Sequence, residues 1–209
     1  MKTVMKLIVC IGLAGISSCI LIVPEKKETQ TSLDSSNAYA AKADTTKKNV
    51  DTVSKIDSST IDTVARAFSG KTIDTRNILP QDVVSFARTL IGTPYHYAST
   101  DPHIGFDCSG FITYVFHHFN IVVPRSSIDF TQVGKEVAPD QARPGDLILF
   151  TGTDSTEKFV GHIGLVVSND AGQLSFIHST SGKQYGVTIT PFSDYYRSRY
   201  MKTIRIFPG

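Results

Sequence analysis

Gly105-Phe106-Asp107-Cys108-Ser109-Gly110-Phe111 decides how the rest of this chain is read. It sets one cysteine after a glycine-containing turn, just ahead of the apolar run Phe111 to Phe116. Apolar residues at 111, 112, 115, 116 and 119 fit a buried helix with Cys108 at or near its N-terminus. There the unpaired backbone N–H groups and the positive dipole end favour thiolate over thiol. A thiolate is the nucleophile that a cysteine hydrolase needs. The competing reading is a small buried apolar residue, the usual fate of a lone cysteine.

A nucleophilic cysteine needs a base and a group that orients the base. The histidines beyond the first third of the chain are His96, His103, His117, His118, His162 and His178. His117 and His118 lie at least ~13 Å down the Cys108 helix by helix rise, too far to reach the thiol. His96 and His103 fall in loops. His162 opens a strand beside Gly161 and Gly164, where glycine lets other backbone approach closely. His178 ends the next strand. In an antiparallel hairpin the start of one strand lies beside the end of the other, so His162 and His178 can be neighbours. They read either as a base with its orienting partner or as two polar residues at a sheet rim.

The remaining elements follow in order. Ile61, Val64, Ala65 and Phe68 have helical spacing after Ser59 or Thr60 as a cap, predicting a short helix. The compact domain is expected to begin near Ile78. Pro80 suits the first turn of a helix whose apolar face is Val83, Val84, Phe86, Ala87, Leu90 and Ile91, ended by Gly92. Thr93 to Tyr97 is an extended loop. Ser127 to Val133 reads as a short helix after Pro124-Arg125. In the second half the period changes to that of strands. Leu147–Phe150, His162–Val167, Leu174–Ser179, Gly186–Ile189 and Thr203–Phe207 are the predicted strands, and Ser193–Tyr200 is a short aromatic helix or turn. Helices first and hairpin-linked strands last give an α+β domain with a mainly antiparallel sheet.

The N-terminus has its own pattern. Lys2 and Lys6 precede the apolar run Leu7 to Ile16, and Ile16-Ser17-Ser18-Cys19 has the form of a lipobox. Residues 1–18 are expected to be a lipoprotein signal, with Cys19 carrying lipid. An uncleaved anchor and an ordinary signal peptide are the alternatives. Cys10 leaves with the signal, so Cys108 is the one free thiol of the mature chain. Residues 19–77 are expected to be a flexible tether with that short helix inside it, and 78–209 the catalytic domain. The Thr-, Ser-, Lys- and Asp-rich stretch of about 36 residues before Ser59 would have an r.m.s. span on the order of 35 Å and a reach of roughly 120 Å. Of 21 Lys and Arg and 19 Asp and Glu, removal of 1–18 takes only Lys2 and Lys6, so the mature chain is formally neutral. No basic stripe with interleaved aromatics is present, which argues against a nucleic-acid partner.

Six ordered stretches carry a resemblance. They are Gly92-Thr93-Pro94-Tyr95, Phe106 to Phe111, Pro124-Arg125, Arg143-Pro144-Gly145-Asp146-Leu147, Gly161-His162-Ile163-Gly164 and Phe176-Ile177-His178-Ser179. In this order the chain resembles the NlpC/P60 family of cell-wall cysteine peptidases over roughly 79–207. The resemblance implies a papain-like α+β fold, Cys108 as nucleophile, His162 as base and His178 as the orienting residue. It implies no cofactor and no metal. It also implies that Asp107 and Ser109 hold a substrate amine, although Asp107 reads equally as an N-cap. Tyr95 either places a hydroxyl near the thiol or is an aromatic core residue. Arg125 either binds a substrate carboxylate or forms a structural ion pair, and Asp146 serves its turn. One departure from the family is Tyr95-His96-Tyr97-Ala98-Ser99, where relatives often have a tryptophan and two glycines. The expectation is a monomeric, lipid-anchored peptidoglycan endopeptidase of the bacterial envelope, facing the periplasm. Its expected target is the γ-D-glutamyl bond to the diamino acid of the stem peptide, with the D-alanyl crosslink as the alternative. A non-catalytic wall-peptide binding module and a secreted antibacterial effector are the other readings.

Overall fold

The computed structural model describes residues 57–66, 68–154 and 156–208. The signal peptide, Cys19 and the tether before Asp57 lie outside the described residues.

The first helix, α1 (Ser58–Arg66), starts two or three residues earlier than the cap at Ser59 or Thr60 predicts. Asp57 initiates it: its carbonyl accepts from Thr60 N at 2.9 Å, and its carboxylate accepts from Ser59 Oγ at 2.6 Å. Ile61 and Ala65, one turn apart, are buried. Asp62 pairs with Arg125 Nε at 2.7 Å. The folded body therefore extends back at least to Ser58, not to Ile78. The contact that ties α1 down spans 63 residues of sequence, so no local pattern reveals it.

Helix α2 (Pro80–Thr89) has Pro80 in its first turn, where a missing N–H costs nothing, and it buries Val83, Val84 and Ala87. It stops before Ile91, which is 51% exposed and so lies off the expected face. A two-residue hairpin, β1 (Thr100–Asp101) with β2 (Gly105–Phe106), precedes helix α3 (Cys108–His118). The stretch Ser127–Gln132 is a 3-10 turn and not an α-helix.

The remaining elements are strands β3 (Lys135–Val137), β4 (Leu147–Thr151), β5 (Val160–Asp170), β6 (Gln173–Thr180) and β7 (Gly186–Pro191), then helix α4 (Asp194–Arg197) and strand β8 (Tyr200–Arg205). They form one sheet of order β3-β8-β4-β5-β6-β7 with every neighbouring pair antiparallel. The edge strand β3 has no apolar alternation, two of its three residues are exposed, and its sequence predicts only loop.

Both faces of the central strands are covered. Leu147 and Leu149 join Phe111, Ile112, Val115 and Phe116 of α3 in the larger core. Ile148 and Phe150 point into a second, aromatic core with Phe176, Phe192 and Tyr196. That is why β4 reads as an unbroken apolar run. Asp146 serves its turn by accepting from Arg143 N at 2.8 Å, and it also holds β8 through two bonds from Arg205 at 3.0 and 2.8 Å. The α+β class with a mainly antiparallel sheet is the observed architecture.

Candidate active site

Asp107 is the N-cap of α3 and accepts from Gly110 N at 2.6 Å. Its two oxygens also take Arg125 Nη1 and Nη2 at 3.1 and 2.8 Å, and Ser109 Oγ donates to it at 3.2 Å. Arg125 sends Nε to Asp62 and lends Nη1 to Ser109 Oγ at 3.1 Å. Arg125 thus forms the structural ion pair of its two readings, with all three of its nitrogens donating inside the protein. Gly110 is required here: a Cβ on it would stand 2.0 Å from the Ser99 carbonyl oxygen. That close approach lets Asp107 N donate to Ser99 O at 3.2 Å and fixes the turn ahead of Cys108.

Cys108 is partly exposed, and β5 grips its sulfur from the other side. Sγ lies 4.0 Å from Gly161 O, and the Ile163 N–H is directed at it. The residue between those two contacts is His162. Continuing the register in which Leu165 faces Ile177 sets His178 opposite Gly164, two residues from His162 and on the same face. His162 Nε2 and His178 Nδ1 are 2.7 Å apart, and His178 Nε2 lies 3.0 Å from Thr190 Oγ1. His178 is fully buried among Phe176 and Tyr196. The hairpin brings the two histidines together as its geometry predicts. Gly161 admits the backbone of Gly152, whereas the space at Gly164 is filled by the Phe176 ring.

The charge state differs from the sequence expectation. Burial pushes the Cys108 thiol up to about 11, with the Asp107 carboxylate adding to the push. The N–H groups of Ser109, Ile163 and Cys108 itself pull the other way and do not win. A helix N-terminus favours thiolate, but here desolvation and an adjacent anion outweigh it. Burial also drives His162 well below the ordinary imidazole value, assisted by His178 and Arg199, and it drives His178 down to about 3, assisted by Arg199. Each of these shifts favours the uncharged form of its group.

Cys108 stands where two clefts meet. The smaller, about 300 Å³, includes Tyr95, Asp107, Ser109 and Arg125 in its walls. The larger, about 720 Å³, includes His162, Lys183, Tyr195 and Arg199. Tyr95, Cys108 and Gly161 border both. Tyr95 thus lies beside the thiol, half-buried and tilted against Tyr185, and burial and Cys108 raise its phenol above the ordinary value. His96 and His103 are exposed and line neither cleft. His118 instead stacks on Phe86 at 3.6 Å. Among the described residues no cluster of three or more His, Cys, Asp or Glu could hold a metal.

Arg199 is the residue that sequence reasoning missed. It is 6% exposed and donates to Tyr195 Oη at 2.7 Å and Thr151 O at 3.0 Å. Nothing in Asp194-Tyr195-Tyr196-Arg197-Ser198-Arg199 says which arginine turns inward, because that depends on how the short α4 meets β4.

Comparisons with known proteins place the chain in a family. The NlpC/P60 family pattern matches residues 92–205. A gamma-DL-glutamyl hydrolase of Bacillus subtilis is 38% identical over 126 residues, 59% of this chain and 29% of the relative. The bifunctional muramidase/DL-endopeptidase CwlT of the same organism is 33% identical over 105 residues, 50% of this chain and 31% of the relative. The murein DD-endopeptidase MepS/murein LD-carboxypeptidase of Escherichia coli is 33% identical over 104 residues, 49% of this chain and 50% of the relative. The chain thus spans between about a third and a half of the length of these curated relatives. An NlpC/P60 family protein from Bacillus cereus superposes with a TM-score of 0.54 at 28% identity, covering 64% of this chain and 42% of that one. The ordered motifs, the α+β architecture and a match spanning more than half of the sequence agree, and the chain belongs to the NlpC/P60 family.

Proposed function

We propose that the protein is a peptidoglycan peptidase that works through Cys108, His162 and His178. One observation carries this reading: the two neighbours of His162 both touch the Cys108 sulfur while its ring is held 2.7 Å from His178. A base fixed beside a nucleophile and oriented by a third group is the constellation of covalent acyl transfer. With Nε2 of His162 engaged by His178, Nδ1 is the nitrogen free to act as base. His178 accepts the Nε2 proton of His162 and donates its own Nε2 proton to Thr190.

The neutral pair holds the same number of protons as a thiolate–imidazolium pair, so no proton need be lost to solvent. As sulfur attacks the amide carbonyl, the thiol proton passes to His162. The backbone N–H of Cys108 at the helix start is placed to stabilise the oxyanion. The His162 imidazolium then protonates the leaving amine, and the acyl group stays on sulfur as a thioester. Water attacks the thioester, His162 takes its proton, and the thiol is restored as the acid departs.

The acyl half of the substrate lies in the smaller cleft. There Asp107 is the one carboxylate in the wall, beside the guanidinium groups of Arg125 and Arg66, and it is the group that would meet the terminal ammonium of a free stem peptide. A buried ammonium without a partner would be costly, so such a site selects free stems over sugar-linked ones. Together with the gamma-DL-glutamyl hydrolase and the DL-endopeptidase among its relatives, this favours the γ-D-glutamyl bond to the diamino acid. The D-alanyl crosslink is the second reading, and the DD-endopeptidase relative supports it. The experiment is to incubate the purified protein with free L-Ala-γ-D-Glu-diamino acid stems and with crosslinked muropeptide dimers, then read product masses. Release of L-Ala-D-Glu is expected. Dimers converted to monomers with free stems intact would overturn the assignment.

The lipobox completes the proposal: a monomeric enzyme held to a membrane of the bacterial envelope through lipid on Cys19, facing the periplasm. Wild type should partition into detergent and Cys19→Ala into the aqueous phase. Equal aqueous release of both would remove the anchor.

A further inference from the structure

The larger cleft carries positive charge that the protein does not neutralise. Arg199 is buried to more than nine-tenths, yet among the described residues it pairs with no carboxylate. Its partners are a phenol and a carbonyl, and its Nε is buried with no acceptor among the described residues. Arg125, equally buried in the other cleft, pairs with two carboxylates. A buried cation normally has a partner, because desolvating it alone costs several kcal/mol (order of magnitude). Lys183, on the exposed loop after β6, borders the same cleft and makes no ion pair with any described residue. Among the described residues no acidic side chain lines this cleft. The Glu157 carboxylate comes close to Gly152 but is not part of the wall. The same wall holds the Tyr195 hydroxyl, on a side chain that is 58% exposed. It accepts from Arg199, so its own proton is free to be donated into the cleft.

We propose that this cleft receives a free α-carboxylate on the residue that supplies the leaving amine. The inference rests on the reading of Cys108 as nucleophile and of the Asp107 cleft as the acyl side. The amine half then falls on the Arg199 side of the sulfur. Tyr195 donates to the carboxylate, Lys183 pairs with it, and Arg199 polarises the phenol from behind and supplies the missing counter-charge. Two substrates present this group. One is a stem peptide that ends at its diamino acid. The other is a γ-linked glutamyl chain, in which every residue keeps its α-carboxylate.

The test compares L-Ala-γ-D-Glu-L-Lys with its C-terminal carboxamide. Wild type is expected to favour the acid by about tenfold or more in kcat/KM, expressed mainly in KM. Lys183→Met is expected to bring that preference towards unity, and Lys183→Glu to invert it. Tyr195→Phe should lower it without removing it. A merely structural role for these residues would change both substrates in proportion and leave the ratio alone, and that result overturns the proposal. Equal turnover of acid and amide by wild type also overturns it, while leaving the proposed peptidase standing. If neither peptide is cleaved, the inference falls with the function beneath it. A γ-linked D-glutamyl oligomer separates the sources: Lys183-dependent turnover assigns the cleft to the polymer, and an inert oligomer assigns it to stem peptides.

Discussion

The helical half and the sheet half of the site handle charge in opposite ways. Around the start of α3, Asp107, Arg125 and Asp62 are charged, largely buried and closed on one another. Around β5 and β6, His162 is half-buried and His178 fully buried, both are pressed towards the neutral form, and the one charged group beside them, Arg199, has no acidic partner among the described residues. Paired charge fixes shape: it caps the helix, aims Cys108 and ties down α1. Burial, assisted by that unpaired charge, favours the neutral form of both imidazoles, and a neutral imidazole is what can accept a proton. The thiol between the halves is pressed towards neutrality by both burial and Asp107, so in the proposed mechanism its activation is assigned to His162 and not to the helix dipole.

The comparison breaks most visibly at His162. His162→Ala removes the only described base beside the sulfur and is expected to lower kcat by about 10³-fold. Turnover within a few fold of wild type would mean that the sheet half does not activate the thiol. On the helical side the large effect is on stability. Asp107→Ala leaves Arg125 with Asp62 alone and uncaps α3, which should cost about 3 kcal/mol. A shift in the urea midpoint reads this, and an unchanged midpoint would show that the ion pair contributes no net stability. His178→Gln should be milder than either, about tenfold to a hundredfold in kcat, since an amide can still hold the His162 ring.

The pH dependence of stability sharpens the contrast further. Unfolded histidine takes a proton near 6.5, whereas folded His178 does so only near 3. Between these values the unfolded chain holds more protons, so stability is full above about 6.5 and falls as the pH drops. The slope is at most about 1.4 kcal/mol per pH unit for each such histidine. His178→Gln should therefore lose less stability than wild type between pH 7 and pH 5, as read by Tm. Parallel losses in the two proteins would contradict a buried, neutral His178.

Much of this molecule was legible in the sequence because its signals are local. The 111, 112, 115, 116 apolar spacing marked α3, and the Asn169-Asp170-Ala171-Gly172 turn marked the hairpin that joins His162 to His178. What escaped depends on distant contacts. The docking of α1 needs Arg125, far along the chain, and β3 is held to β8 by backbone pairing and the Lys202–Glu136 ion pair rather than by any apolar pattern. The thiol's charge state was read backwards because local logic sees the helix terminus but not the packing of β5 over it. Arg199 gives no local signal at all, since its importance comes from a partner that is missing.

The most direct test of the account is turnover by Cys108→Ala. The variant should fold, because the side chain lost is small and its polar contacts are weak, a 4.0 Å approach to Gly161 O and the Ile163 N–H. Circular dichroism and the urea midpoint establish that first. Wild type and variant are then incubated with L-Ala-γ-D-Glu-diamino acid stems, and the products are read by mass. The account predicts L-Ala-D-Glu from wild type and none from the folded variant. Equal release from both would contradict Cys108 as nucleophile, and with it the roles assigned to His162 and His178.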